Sequence, residues 1–574
     1  MIRRFYVNLR GKRQRLSMNF KYFCKPAAIV ITVILFNTGC RSGSKATADS
    51  VAYLNKASYR PDTNKIGASN LPELNIDHSN NTVPLKNMFG INAYEWNFLE
   101  NPGSPNDRKH IYEDNMTLVK TFSAVRHYLN WNRVETTKGN YTFNPTNNGS
   151  WNEDIIYQRC KQDGILVLAD LKNIPEWLQN TYPASSRDDD NAPVPYGQSL
   201  DAPASYSDQA RMAFQLAARY GYNKNIDKSL IKVDARKRWN GDIPNEPLVG
   251  LGLLKYIECG NERDRWWGGD ETHQTAEQYA ANMSAFYDGN MGKLGAGVGV
   301  KAADPNMQVV MGGLATADVK FVQRMVDWCR TNRGIKPDGS VNLCFDVINY
   351  HLYSNNGDVR RQKKATTGIA PELSISGEVA SQFVKLANTL PGRPEVWVTE
   401  TGYDINQESY QRAESIGLKT VLANQADWIL RTSLLYIRYG IKRVFFYQLF
   451  DDHAGGTSQY ATSGLAEGIK RRPAADYILQ TTKLMGDYSY IKTISNDPLI
   501  DQYKLGNKTM YILTIPDETN RKANYTLDLG TAKKASIHNL KIGGDVMDSK
   551  QMNTTNGKLT IEVSETPVFV EGIN

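Results

Sequence analysis

From Met88 to about Leu484 short apolar runs recur, each followed by a longer stretch with apolar positions three and four apart. The runs Met88–Asn92, Ala124–Tyr128, Ile165–Ala169, Tyr256–Cys259, Gln308–Gly312, Val347–Tyr350, Val396–Thr399 and Arg443–Tyr447 predict eight strands. Several are nearly all apolar, as parallel strands buried on both faces are. The intervening periodicity predicts helices over Trp151–Asp163, Tyr206–Tyr220, Thr275–Asn290, Val319–Arg333 and Ala423–Tyr439, with Gly440 as the stop of the last. Eight strands alternating with helices predict a (β/α)8 barrel over residues 85–486. The longest gap, Leu178 to Leu254, contains Asp188-Asp189-Asp190, several prolines and a basic run around Lys228–Arg238. It predicts an insertion walling the top of the barrel, the basic run being a solvated face. After Gly486 the pattern changes to short alternating segments: Tyr488–Ile494, Leu499–Leu505, Thr509–Ile515, Tyr525–Asp528, Ser536–Lys541, Lys558–Val563 and Pro567–Glu571. These predict a small antiparallel β-sandwich over 487–574.

Composition narrows the class. With 574 residues, 41% apolar and 10% aromatic, the chain is neither a disordered tail, a collagen-like fibre nor a small disulfide module. The formal charge of +8 is carried entirely by Arg3, Arg4, Arg10, Lys12, Arg13, Arg15, Lys21 and Lys25. The rest of the chain is neutral, so charge gives no argument for a nucleic-acid partner. That basic stretch precedes an apolar run, Ala27–Phe36, too short to span a bilayer, and then Asn37-Thr38-Gly39-Cys40. Small residues before a cysteine resemble a bacterial lipobox, although Asn37 stands where leucine is usual. Residues 1–39 are therefore expected to be a lipoprotein-type signal peptide, with Met18 giving a more usual start, and Cys40 the lipidated residue. An ordinary signal peptide cut nearby is the alternative. Residues 40–84 are expected to be a polar tether. The protein would be exported, periplasmic or at the cell surface, membrane-anchored through Cys40, and monomeric. Cys160, Cys259, Cys329 and Cys344 have no zinc-ligand spacing, and three of them lie in apolar or helical contexts and read as core residues. Cys329 and Cys344 could pair in an oxidising compartment. Neither a metal nor an organic cofactor is expected.

In a barrel, chemistry sits where strands end at the C-terminal face. Strand four ends Tyr256-Ile257-Glu258-Cys259-Gly260-Asn261-Glu262, and strand seven ends Val396-Trp397-Val398-Thr399-Glu400. Either glutamate alone could be a salt-bridged cap. Two at the lip of one cavity are the minimal apparatus for splitting a glycosidic bond.

Gly260-Asn261-Glu262, Val398-Thr399-Glu400 and Asn349-Tyr350-His351-Leu352-Tyr353 resemble the retaining glycoside hydrolases of clan A, such as families 5, 30 and 39. The pattern Gly464-Leu465 … Lys470-Arg471-Arg472-Pro473-Ala474 extends the resemblance to the last barrel helix. It implies Glu262 as acid/base, Glu400 as nucleophile and Asn261 as partner of the sugar 2-hydroxyl. It implies that Arg126, at the end of strand two, keeps the nucleophile ionised, and that His351 and Tyr353 orient the two carboxylates. Glu262, beside apolar and aromatic walls, would keep its proton more easily. Two departures stand out. Strand eight ends Phe446-Tyr447-Gln448, where many clan members have tryptophan, so Tyr447 or Gln448 would take the sugar floor. Asn-Glu-Pro appears here as Asn261-Glu262-Arg263. The final Glu565–Glu571 segment resembles the last strand of the sandwich appended to several of these families, a mainly structural module.

Flat rings cover the apolar faces of sugars. Trp96, Trp131, Trp177, Trp266 and Trp267 all follow strands, more than core filling requires; Trp96 and one of Trp266 and Trp267 are the expected platforms. Trp397, Trp428 and His127 read as structural, and His453, with Asp451 and Asp452, could reach substrate from the loop after strand eight. The function expected is hydrolysis of β-linked polysaccharide or oligosaccharide by double displacement. A silent glycan-binding lipoprotein on the same fold would keep the tryptophans but lose a carboxylate. A barrel lyase or aldolase would need a strand-end lysine for a Schiff base or a metal cluster.

Overall fold

The computed structural model describes residues 83–573 apart from 106, 146–150 and 238–240. The leader, Cys40 and the tether as far as residue 82 lie outside the described residues. Eight strands, β1 (Gly90–Ala93), β2 (Ala124–Asn130), β3 (Leu166–Lys172), β4 (Tyr256–Cys259), β5 (Gln308–Met311), β6 (Val347–His351), β7 (Glu395–Thr401) and β8 (Arg443–Phe446), form a closed barrel. All are parallel, and β1 closes on β8 through Gly90–Phe445 and Ile91–Phe446. After each strand comes a helix: α1 (Glu113–Val119), α2 (Glu153–Gln162), α3 (Ser207–Tyr220), α4 (Ala276–Asp288), α5 (Val319–Asn332), α6 (Ser376–Thr389), α7 (Val421–Arg438) and α8 (Pro473–Met485). Their starts follow local chemistry. Thr275 and Gln278 form a capping box on α4, and Thr420 caps α7 through the Ala423 N–H.

The barrel interior is tiered by the two-residue period of a strand. The lowest tier is apolar: Ala124, Leu168, Tyr256, Val310, Val347, Trp397 and Phe445. Two residues further along come Arg126, Asp170, Glu258, Asn349 and Thr399, all buried. A further step brings Tyr128, Lys172 and His351 to the mouth. The near-apolar interior expected of these strands is thus interrupted by a charged tier. Arg126 is the third residue of β2, inside the barrel rather than at the strand's end.

β7 departs from simple alternation. Tyr350 pairs with Val398 but His351 pairs with Glu400, skipping Thr399. That irregularity turns Glu400 to the side its sequence neighbours Trp397 and Thr399 also occupy, as bulges beside active sites do.

Beyond a small ribbon, β9 (Ala466–Glu467) with β10 (Lys470–Arg471), the chain enters the C-terminal sheets. Their strands are β11 (Ser489–Asn496), β12 (Leu499–Leu505), β13 (Lys508–Thr514), β14 (Ala523–Asp528), β15 (Lys534–Asn539), β16 (Asp548–Asn553), β17 (Lys558–Val563) and β18 (Val568–Ile573). A six-stranded antiparallel sheet, β11-β12-β13-β18-β15-β16, faces the β14-β17 pair across a core including Leu513, Leu527, Ile561 and Val570. Besides the short β9 and β10, the pattern did not predict β16; every residue in it is exposed, so it shows no apolar alternation. The sandwich is fastened to the barrel by one buried and one partly buried ion pair. Arg438 of α7 meets Asp501 of β12 at 2.6 Å, and Lys419 meets Glu565 at 3.1 Å. Cys160, Cys259, Cys329 and Cys344 are free and buried, with 3.4 Å between the sulfurs of Cys329 and Cys344. Among the described residues no helix is long and apolar enough to cross a membrane.

Candidate active site

Arg126 organises the mouth from below. Its Nε and Nη2 donate to the two Glu258 oxygens at 2.7 and 2.9 Å, and Nη2 also reaches Asp170 at 3.1 Å. Its upper edge donates from Nη1 to Glu400 Oε1 at 2.8 Å and from Nη2 to Asn261 Oδ1 at 2.8 Å. One buried guanidinium thus faces three carboxylates, two of them shut off from water and Glu400 still partly exposed. Burial and Glu258 push Asp170 up to about 7, against the pull of Arg126.

Glu400 is held from both sides. Tyr128 donates to Oε1 at 2.5 Å and Tyr353 to Oε2 at 3.1 Å. Burial alone would raise its pKa. His351, Arg126 and the Tyr128 hydrogen bond outweigh that and hold the carboxyl below its ordinary value.

Glu262 sits on the loop after β4 with a left-handed backbone, φ 50°, its N–H donating to the Gly313 carbonyl at 3.0 Å. Positive φ outside glycine clusters at functional sites, where surrounding contacts hold it. Its carboxylate, expected beside apolar and aromatic walls, has two nitrogen-bearing neighbours. His351 Nδ1 lies 3.0 Å from Oε1, and Arg265 Nη1 lies 3.6 Å from Oε2. A donor chain sets the imidazole: Asn349 Nδ2 donates to Thr399 Oγ1, whose hydroxyl lies 3.0 Å from His351 Nε2. Burial pulls the His351 pKa down, but Glu400 and Glu262 more than reverse it. Gly313 makes room for the ring; a Cβ there would lie 1.9 Å from Nε2.

One carboxylate oxygen from each glutamate and a His351 ring nitrogen lie within 4.8 Å of one another. Such atoms could ligate a cation. Here His351 Nδ1 is spent on Glu262, and Arg126 already supplies the positive charge beside Glu400.

The remaining expected residues divide. Asn261 is half-buried, and Arg126 fixes its oxygen inward, leaving its NH2 as a donor. Trp96 is 39% exposed and stacks on Tyr94 at 4.3 Å between ring centroids. Trp266 and Trp267 are exposed and meet edge to face on the turn just past Glu262. Tyr447 is half-buried, with its hydroxyl 2.9 Å from that of Tyr94. Gln448 is buried and donates to Asp452 at 2.6 Å. Trp131 is buried edge-on against Trp177 and donates to Glu135, so these two are packing residues. Trp397 and Trp428 are core. His127 is buried beside Tyr157, and burial pushes its pKa down to about 3. Asp451 is locked to Arg472 at 2.7 Å, and His453 is exposed.

Sequence reasoning missed Tyr128, Asp170, Glu258 and Asn349. The signal was present: acids inside strands that otherwise read as buried demand a cation, and Arg126 has the matching strand phase. It also missed the role of the insertion. Asp190 accepts from Arg265 at 3.0 Å and lies 4.0 Å from Lys172, joining the segment after β3 to the loop that carries Glu262.

No protein-family model matches the chain, and no curated protein matches it in sequence. Among solved structures it is similar to a family 39 glycoside hydrolase from the gut symbiont Bacteroides cellulosilyticus WH2. The identity is 16% and the TM-score 0.56, covering 86% of this chain and 81% of that one. A family 30 endoxylanase from Clostridium papyrosolvens C71 matches at 13% identity and TM-score 0.49, covering 85% of this chain and 97% of that one. A family 51 alpha-L-arabinofuranosidase from Bifidobacterium longum matches at 14% and 0.49, covering 86% and 97%. At these identities the likeness to the family 39 enzyme is one of fold: a (β/α)8 barrel followed by β-sheets.

Proposed function

We propose that the chain is a retaining β-glycosidase acting on a polysaccharide or its oligosaccharides. The observation that carries this is the pairing of Glu262 and Glu400 across one gap, with the nearer oxygen of each within 4.8 Å of the other. Retaining enzymes keep their two carboxyls about 5–5.5 Å apart, whereas inverting enzymes leave about 6.5–9.5 Å for a water.

In this reading Glu262 gives its proton to the glycosidic oxygen as the bond from that oxygen to the anomeric carbon breaks. Glu400 attacks the same carbon and forms a glycosyl ester. Water then enters, Glu262 takes its proton, and the hydroxide displaces Glu400. Two inversions give retention. Arg126, Tyr128 and Tyr353 keep Glu400 charged and aimed, His351 aims Glu262, and Asn261 offers its NH2 to the 2-hydroxyl. Trp96 and Trp266 or Trp267 supply ring faces for the sugars, and Tyr447 forms the floor. The presence of both acids argues against a silent glycan-binding role.

The test is proton NMR of the first-formed product on a panel of aryl β-glycosides and polysaccharides. Retention is expected, with activity abolished in Glu400→Gln. Azide should restore turnover of an activated substrate in Glu262→Ala. An inverted product, or a Glu400→Gln variant as active as the parent, would defeat the proposal. Export and anchoring through Cys40 belong to the same reading, and Cys40→Ser should then release the protein from membrane fractions.

A further inference from the structure

Tyr460 lies in the loop after β8, in a stretch with no apolar pattern, yet its ring lies beside two tyrosines of the site. It sits 4.9 Å, centroid to centroid, from Tyr353, which donates to Glu400, and 6.1 Å from Tyr447. It is 36% exposed, so part of the ring remains uncovered at the mouth. Its hydroxyl has no hydrogen-bond partner among the described residues. Burial first, then the charges of Glu262 and Glu400, raise the pKa of that hydroxyl.

The backbone is held in place to achieve this. Tyr460 has φ 72°, a left-handed conformation unfavourable for a residue with a Cβ. Its N–H donates to Asp404 Oδ2 at 2.9 Å, and Thr462 N–H reaches Asp404 Oδ1 at 3.3 Å. Asp404 is buried, four residues beyond Glu400, and also accepts from Ser409 at 2.5 Å. The loop after β7 and the loop after β8 are further joined by Ile405 N–H to the Thr462 carbonyl at 3.1 Å. The loop that follows the strand presenting Glu400 therefore fixes Tyr460.

We propose that Tyr460 contacts the sugar at the cleavage point, its hydroxyl bonding a neutral sugar hydroxyl and its ring extending the wall formed by Tyr353 and Tyr447, with Asp404 as its positioning residue. This rests on the glycosidase reading. The experiment is steady-state kinetics of Tyr460→Phe, Tyr460→Ala, Asp404→Ala and the Asp404→Ala/Tyr460→Ala double variant. Melting temperatures are recorded alongside, with Glu400→Gln as the inactive control. Tyr460→Phe should lose roughly three- to tenfold in kcat/KM, the size of one neutral hydrogen bond. Tyr460→Ala should lose roughly ten- to a hundredfold. The double variant should be no worse than Tyr460→Ala, since Asp404 acts through Tyr460. A Tyr460→Ala enzyme within twofold of the parent, or fully additive losses in the double variant, would overturn the inference while leaving the glycosidase reading intact. A parent enzyme inactive on every glycoside, or an active Glu400→Gln, would overturn both.

Discussion

Arg126 Nη1 lies 2.8 Å from Glu400 Oε1, and the arginine is wholly buried while it also holds Glu258 and Asp170. A single cation thus serves the proposed nucleophile and two acids that never meet solvent. Arg126→Gln should destabilise the fold by about 3–5 kcal/mol, because it strands buried carboxylates. It should also lower kcat by about a hundredfold or more. Arg126→Lys should recover charge but not the forked contacts, and so only part of either loss. Urea unfolding and steady-state kinetics check both.

The pH profile follows from the signs. Glu400 has a folded pKa below its unfolded value of about 4.3. Its stabilising contribution is therefore whole above that value and is lost as pH falls through the folded pKa. His351 is the reverse, raised above about 6.5. Its contribution is whole below that and is lost as pH rises through the folded pKa. Tyr128→Phe removes a hydrogen bond to the charged carboxylate, worth about 1.5–3 kcal/mol. It should move the acid limb of kcat/KM up by about one to two pH units.

Two tryptophans of similar sequence context should behave differently. Trp96→Ala should raise KM about three- to tenfold with little change in melting temperature, because its ring is stacked on Tyr94 but partly exposed. Trp131→Ala should cost about 3–5 kcal/mol of stability, since that ring is buried. Calorimetric melting with kinetics separates the cases.

Those two residues also show how far the sequence can be read. The alternation of apolar runs located all eight barrel strands, and Gly260-Asn261-Glu262 and Val398-Thr399-Glu400 at two strand ends located the two acids. Burial of Trp131 against Trp177 depends on how the segments after β2 and β3 meet, which no local pattern encodes. The charged tier around Arg126 was hidden because Asp170 and Glu258 sit singly among apolar neighbours. The bulge that turns Glu400 inward is a pairing irregularity between β6 and β7, visible only once strands are aligned. Tyr460 is brought to the site by Asp404, 56 positions away.

The sandwich should act as a brace. Asp501→Ala leaves Arg438 buried without its partner and should cost about 3–5 kcal/mol. The kcat of the folded enzyme should not change, because neither residue approaches Glu262 or Glu400. Denaturant unfolding followed by activity per folded molecule checks this.

The most direct measurement is capture of the glycosyl-enzyme. The protein would be incubated with 2-deoxy-2-fluoro β-glycosides carrying activated leaving groups, then digested and mapped by mass spectrometry. One sugar on the peptide containing Glu400, absent in Glu400→Gln, is the predicted result. A sugar on another residue, or turnover of the parent glycosides with no adduct formed, would contradict the account.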